Sequence, residues 1–258
     1  NLSLSEQEKE KLINDYPEST KFIKKLIGAE EFLDGKQRFC LWLSNKNLND
    51  ALKIEPIKTR IENVKNMRLS STDKAAHKLA ERAHQFRETN ETTTSSLIIP
   101  LTTSERRVYI PLGFVNSEYI ATNAVSVIYD AEPWIFGVIS SLMHMAWVRA
   151  VGGSLETRIR YSSVLCYNTF PFPNISQKQK DEITELVFAI LDEREKHSQK
   201  TLAQLYDPDK MPEGLKKAHH NLDIAIEQCY RSKPFESDEE RLEYLFKMYE
   251  EMTNKEEK

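Results

Sequence analysis

Cysteine is scarce in this 258-residue chain: Cys40, Cys166 and Cys229 stand far apart and are odd in number. That excludes a disulfide framework and a cysteine-built metal cluster, and the natural setting for such a chain is a reducing cytoplasm. Glycine is scarce too, at 7 residues, and no glycine fingerprint for a cofactor follows an apolar strand-like run. The pair Gly152-Gly153 follows a helical stretch instead, and nothing resembles a phosphate-binding loop. No run reaches about 18 apolar residues, so no membrane partner is expected. The histidines at 77, 84, 144, 197, 219 and 220 do not fall into metal-ligand spacing with cysteines or carboxylates. No serine occupies a nucleophile elbow, and no cysteine has a histidine near it in sequence. The chemistry of an enzyme is not visible. The opening NLSLSEQEKEKL lacks a basic-then-apolar leader and the first methionine is Met67, so a piece of a larger protein is expected.

What is present is an uneven distribution of charge. The chain carries 36 Lys+Arg against 40 Asp+Glu. From Gln177 onward there are 14 basic and 20 acidic residues, whereas Ser44 to Glu88 holds 10 basic and 6 acidic. Ser96 to Pro173 has no lysine but five arginines: Arg106, Arg107, Arg149, Arg158 and Arg160. Arginine presents a planar fork of donors, which suits recognition of bases or phosphates. A surface that merely favours arginine is the competing reading.

Patterning predicts an α+β region followed by helices. Leu4 to Leu12 is expected to fray, and Pro17 to open a helix ending at Gly28. Phe32 to Lys36 reads as a short strand with an Asp34-Gly35 turn, and Arg38 to Leu43 as a buried strand. A helix follows over Asn49 to Val64, divided by Pro56. Another runs over Lys74 to Ala83, capped by Ser71 or Thr72. Residues 89 to 96 form a loop. Leu97 to Pro100 and Arg107 to Ile110 then read as strands joined by Leu101 to Arg106, with a further strand at Val125 to Tyr129. Pro133 begins one long apolar helix to about Val151, and Arg158 to Tyr167 alternates as a strand. Asp181 to Lys196, Leu215 to Arg231 and Asp238 to Glu250 are amphipathic helices that pack as a small bundle. They are expected to turn Ile224 and Phe246 inward along with Leu222, Ile226, Leu242, Leu245 and Tyr249. Leu205 to Leu215 is an ordered connection, and the final NKEEK is expected to be disordered.

Two clusters point to a binding surface. The loop Thr102-Thr103-Ser104-Glu105-Arg106-Arg107 offers hydroxyls, a carboxylate and two guanidinium forks within six residues. In a DNA groove, arginine binds guanine bidentately, glutamate accepts from cytosine, and serine holds phosphate or a base edge. In the strand Arg158-Ile159-Arg160, both arginines share one face. The bland reading is a solvated edge with Arg158 paired to Glu156. His144 reads as a core or interface histidine, and His219-His220 as packing or capping groups. Trp134, Met143, Met145 and Trp147 on an apolar helix suit either a core or a docking platform for a partner domain.

Five separated segments resemble one family in its own order: GAEEFLDGKQRFCLWL, SSTDKAAHKLAERAHQFRE, SSLIIPLTTSERRVYIPLGF, SSLMHMAWVRAVGGSLETRIRYSSVLCYNTFPFP and LAQLYDPDKMPEGLKKAHHNLDIAI. They are similar to the carboxy-terminal part of the MmeI-like restriction-modification enzymes and related adenine-N6 DNA methyltransferases. The resemblance implies an α+β target-recognition domain with a mixed or antiparallel sheet and packed helices, followed by an all-α domain. It implies a helical linker at 1–27, a DNA target-recognition domain at 28–174 and a helical domain at 175–258. Double-stranded DNA and the catalytic methyltransferase domain of the same polypeptide are the implied partners. S-adenosylmethionine and an Asn-Pro-Pro-Tyr type motif belong to the upstream domain in such enzymes; this chain carries no such motif, so no cofactor or metal site and no activity of its own are expected. The residues expected to touch DNA are Ser104, Glu105, Arg106, Arg107, Arg158 and Arg160.

Overall fold

A computed structural model describes residues 1–256 and divides the chain into two compact units. The first comprises Asn1–Ile27, Lys36–Thr93 and Asn116–Thr122; the second comprises Gly28–Gly35, Thr94–Val115 and Asn123–Lys258.

The first unit begins with β1 (Ser3–Leu4) and α1 (Glu6–Asp15). The expected fraying does not occur, because Ser5 and Glu8 form a reciprocal capping box and Leu12 is buried. The helix expected from Pro17 is a 3-10 turn, Pro17–Phe22, that runs into strand β2 (Ile23–Ile27). Residues 1–27, expected as a helical linker, therefore supply two strands. Strand β3 (Phe39–Leu41) is wholly buried, as its apolar run predicts. It pairs antiparallel with β1 and β2, and β2 pairs parallel with β7 (Tyr119–Ala121). Short α3 (Leu48–Ala51) precedes α4 (Glu55–Leu69), with Pro56 in the first turn of α4, where its missing N–H costs nothing. Helix α5 (Lys74–Leu79) is capped by Asp73, which accepts from the Ala75 amide at 2.8 Å, not by Ser71 or Thr72. The core gathers Leu4, Leu12, Phe22, Leu41, Ile54, Ile57 and Val64.

In the second unit, α2 (Ala29–Asp34) replaces the strand expected near residue 32. The Glu31 carboxylate accepts from the Gly28 amide at 2.7 Å, and Gly35 ends the helix in the left-handed region at φ 70°. Strand β4 (Ser95–Pro100) lies between β6 (Gly113–Asn116) and β8 (Val125–Tyr129), antiparallel to β8. The long apolar helix is broken into α6 (Pro133–Ile139) and α7 (Leu142–Val151), bent by 55°. Ser141 marks the break, since its hydroxyl caps the His144 amide. No single helix among the described residues is long and apolar enough to cross a membrane.

Helices α8 (Gln177–Glu195), α9 (Leu202–Leu205), α10 (Glu213–Tyr230) and α11 (Asp238–Glu256) complete the fold. Helix α11 carries Asn254 to Glu256, part of the stretch expected to be disordered; Glu257 and Lys258 lie outside the described residues. Ile224 and Phe246, expected inward, are exposed, although the Phe246 ring lies 5.1 Å from that of Trp147. The fold is thus an α+β body with mixed and antiparallel sheets, continuing into packed helices.

One core binds these parts of the second unit. It runs from Leu97 and Ile99 through Phe136, Met143, Met145 and Trp147 to Ile183, Val187, Leu222 and Leu245. Gly137 lets α6 lie against α8 and α10: a Cβ there would meet Ile183 Cγ2 at 2.4 Å and Leu222 Cδ1 at 3.3 Å. Buried polar groups close the same core. Arg194 donates to the Leu112 carbonyl at 2.6 Å and from Nε to the Tyr206 hydroxyl at 2.9 Å. Tyr206 in turn meets His219 Nε2 at 2.7 Å. The His219 ring stacks on Tyr109 at 4.1 Å. Asp223 accepts from the Tyr109 hydroxyl at 2.7 Å and the Leu142 amide at 2.8 Å. Burial nevertheless pushes the Asp223 carboxyl up to about 7 and holds His219 and His144 neutral, well below the usual imidazole range.

Gly137→Ala should overpack the α6–α8–α10 contact and cost about 1–3 kcal/mol, read as a lower Tm. Asp223 is protonated more readily in the folded chain than in the unfolded one. Its contribution to stability is therefore complete below the ordinary carboxylate range and is lost as pH rises through about 7. His144 and His219 act in the opposite direction, costing stability as pH falls below the ordinary imidazole range. Asp223→Asn keeps an acceptor for Leu142 but cannot ionise. Its Tm relative to wild type should climb as pH is raised towards and past about 7; a pH-independent difference would refute the assignment.

Candidate nucleic-acid interface

The two arginine clusters meet in one small sheet. Strand β10 (Arg158–Arg160) pairs antiparallel with β5 (Thr102–Thr103) on one side and with β9 (Gly153–Leu155) on the other. Ile159 stands opposite Thr103, and Arg160 opposite Thr102. This pairing sets the loop Ser104–Arg107 at the end of the strand beside the one that carries Arg158 and Arg160. Alternation does the rest: Arg158 and Arg160 are exposed while Ile159 turns toward the core. The expected strand over Arg107 to Ile110 does not form, and β5 arises inside the segment expected as a loop. Nor does the strand from Arg158 continue to Tyr167. After Arg160 the chain turns through a single π-helical stretch, Ser163–Tyr167, whose start is capped by Ser162 and which buries Cys166.

The connection between β9 and β10 is two residues long, and its Glu156 adopts φ 58°, which is uncommon for a residue with a Cβ. From that position its carboxylate takes Arg158 Nη2 at 2.9 Å. Ser104 organises the other loop: its hydroxyl accepts from the Arg106 amide and its carbonyl from the Arg107 amide. Arg106 then reaches Asp209 at 2.6 Å, with both side chains about two-thirds exposed. Arg160 has no ion pair among the described residues and is exposed.

Arg107 behaves differently from the other three. It is half-buried, donates to Thr103 Oγ1 at 3.1 Å, and loses basicity through desolvation. Its carbonyl accepts from Arg149 Nη2 at 3.2 Å, and Arg149 also pairs with Asp238 of α11 at 3.1 Å. Arg149 lies outside the residues expected to form the site. Its position in the last turn of an apolar helix, just before Gly152-Gly153, is the signal that marks it. Glu105, Arg149, Thr157, Arg158 and Ile159 line a shallow depression of about 300 Å³ together with Gly152 and Gly153. Donors and acceptors converge there. No group of three or more His, Cys, Asp or Glu among the described residues is placed to hold a metal.

Of the two readings open for the apolar helix, core or docking platform, α7 takes the core one. Met143, Met145 and Trp147 are 0–1% exposed and lie in the chain's own core. Trp134 is half-buried, with the Lys180 ammonium 4.4 Å above its ring. His144 is a core histidine, as expected, with Nε2 at 3.2 Å from the Tyr161 hydroxyl.

Fold and sheet together define a class: an α+β module continuing into helices, displaying exposed arginines on the central strand of a small sheet and on the loop beside it. The chain belongs to the MmeI family. The family described as "MmeI, target recognition domain" matches residues 1–174, and "MmeI, C-terminal domain" matches residues 175–256. DNA methyltransferase A of Bacillus subtilis (strain 168) is 50% identical over 244 residues, covering 94% of this chain. A solved structure of the type IIL restriction-modification enzyme MmeI in complex with DNA superposes with a TM-score of 0.94 at 39% identity over 98% of this chain. The chain spans 28% of the first relative's length and 34% of the second's.

Arg149→Ala removes the bond to the Arg107 carbonyl. Amide exchange of residues 104–107 should then quicken, while amides of α8 and α10 keep their protection. Unchanged exchange in the loop would show that Arg149 does not hold it.

Proposed function

We propose that this chain is the sequence-reading module of an S-adenosylmethionine-dependent adenine-N6 DNA methyltransferase of a cytoplasmic restriction-modification system. The observation that carries this reading is the β5–β10 pairing, which places the Ser104–Arg107 loop beside the exposed Arg158 and Arg160. In this reading Arg106, Arg158 and Arg160 contact bases or phosphates, and Ser104 and Glu105 add an acceptor-rich edge. Arg107 supports the loop with its backbone and half-buried fork. The helices from residue 175 onward brace the sheet. Membership in the MmeI family and the likeness to an enzyme solved with DNA support it. The methyl donor and the reacting adenine belong to the rest of the polypeptide, so this module is inactive by itself.

The mechanism is energetic coupling. Flipping an adenine costs a few kcal/mol in broken pairing and stacking. A module that grips neighbouring bases supplies binding energy only at the right sequence, and each good bidentate contact discriminates by about 1–3 kcal/mol. Two or three such contacts decide which adenine reaches the catalytic site.

The alternative, a docking platform with little DNA reading, loses its support because three of its four residues are spent in the core.

In the full-length polypeptide, Arg106→Ala, Arg158→Ala and Arg160→Ala should each lower site-specific methylation, by about 5- to 150-fold for an arginine that reads a base. S-adenosylmethionine binding, read by calorimetry, should be unchanged. Full activity in all three variants and in the triple variant would exclude these residues from DNA reading.

A further inference from the structure

The first compact unit carries a basic surface that none of the groups discussed above uses. Residues 65–87 hold six basic side chains against two acidic ones, in a chain whose overall charge is −4. The structure folds this span into the end of α4, then α5, then a 3-10 turn over Ala80–Arg82. Two of the six cations are structural. Arg68 donates to the carbonyls of Leu79, Arg82 and Gln85 at 2.7–3.0 Å, clamping the turn against α4. Arg82 closes the exit by donating to the carbonyls of Phe86 and Arg87.

The other four are not tied to the backbone in this way. Lys65, Lys74 and Lys78 are exposed and have no hydrogen bond, ion pair or ring contact among the described residues. Lys74 and Lys78 are four residues apart on α5, so they share one face. Among the described residues, the Arg87 side chain pairs only with its sequence neighbour Glu88, at 4.0 Å, with both side chains at least 70% exposed. Of the two acids in the span, Asp73 gives a carboxylate oxygen to the α5 cap, and Glu81 is exposed on the following turn. From Gln177 onward the picture is mixed: Lys196, Lys210, Lys216, Lys233 and Lys247 each have a carboxylate within 4.0 Å, whereas Lys178, Lys200 and Lys217 have no ion pair among the described residues.

We propose that Lys65, Lys74, Lys78 and Arg87 form a phosphate-binding surface that grips the sugar-phosphate backbone of duplex DNA without reading its sequence. The proposal rests on the DNA-reading assignment for the arginine sheet and adds to it a second anchor on the first compact unit. Unpaired, exposed ammonium groups on a turn held by Arg68 suit this task. They are point charges that release counterions from any duplex, whereas base reading calls for the fixed forks of arginine. Lysine is absent from Ser96 to Pro173, whereas three of the four cations free of structural bonds here are lysines.

The test uses the full-length polypeptide and a fluorescent duplex of random sequence. Affinity is measured by anisotropy between about 50 and about 200 mM salt. The triple variant Lys65→Ala, Lys74→Ala, Lys78→Ala should keep its Tm, since all three side chains are exposed. The slope of log K against log salt should fall by about 0.9 for each phosphate no longer neutralised, so by about 2 to 3 in all. Lys196→Ala, Lys216→Ala is the control and should leave the slope alone. A Lys→Gln triple variant should reproduce the result, which separates charge from helix propensity. A slope equal to wild type in both triple variants would overturn the phosphate surface. So would a loss of methylation with an unchanged slope, which would assign these lysines to an acidic protein surface. Wild-type protein that binds no duplex at any salt would instead overturn the DNA-reading assignment itself.

Discussion

Burying a guanidinium is tolerable only when its donors find acceptors, and Arg194 in the second unit meets that condition in a way that organises everything around it. One arm of the fork takes the Leu112 carbonyl, and the other edge takes the Tyr206 hydroxyl. The charge then has consequences next door. It depresses His219 further than burial does alone, so that ring stays neutral and accepts from Tyr206 while its face packs on Tyr109. Tyr109 in turn donates to Asp223, which also holds the first amide of α7. A chain of five side chains therefore fastens α8, α9 and α10 to the segment between β5 and β6 and to the start of α7. The residues matched by the two family descriptions meet in this network and share one hydrophobic core. In packing terms, the helices after residue 175 are the back wall of the arginine sheet's own unit.

That wall explains why so small a sheet can hold its side chains in place. Its strands are two and three residues long, too short to be stable on backbone pairing alone. Stability comes from the floor. Val148 and Tyr161 are buried in the same core against which Ile159 packs. Gly152 lies so close to the end of α7 that a Cβ there would meet the Val148 carbonyl at 2.4 Å. The exposed arginines stand on this floor while contributing little to it. Their identity is therefore open to change without loss of the fold.

Much of this is legible in the sequence, and the exceptions have physical causes. Buried apolar runs such as Phe39–Leu41 and Leu97–Pro100 declare themselves because nothing local competes with burial. The same holds for α8, α10 and α11, whose long helical periods dominate their neighbourhoods. Short segments mislead. Ile23–Ile27 fits a helical period as well as a strand, and only pairing with β3 and β7 decides between them. Around residue 32 the Asp34-Gly35 turn suggests a strand, but the Gly28–Glu31 cap starts a helix and prevails. The break between α6 and α7 is encoded in Ser141, and the surrounding apolar residues mask it. At the candidate site, residue types point to both clusters. Their meeting across β5 and β10 is tertiary information, and so is the half-burial of Arg107.

The acidic composition of the C-terminal helices looks unfavourable for a neighbour of DNA, yet several of those acids are internally committed. Glu227 and Asp238 share Arg241, Asp238 also takes Arg149, and Glu240 takes Arg231. Asp209 holds Arg106, as Glu156 holds Arg158 on the hairpin. These last two pairs are exposed to water, where an ion pair contributes little net stability and exchanges partners readily. A phosphate or guanine that approaches them trades one weak pair for another and gains only if its geometry suits the fork. Arginines already partnered in the unbound protein thus discriminate against casual polyanions more sharply than unpartnered ones would. The three lysines proposed to bind phosphate on the first unit have no such competitor among the described residues, so in that reading they would attract any duplex. In the proposed reading, a division in which unpaired lysines capture while Arg106 and Arg158, each held by a carboxylate, select would reconcile the chain's net negative charge with DNA reading.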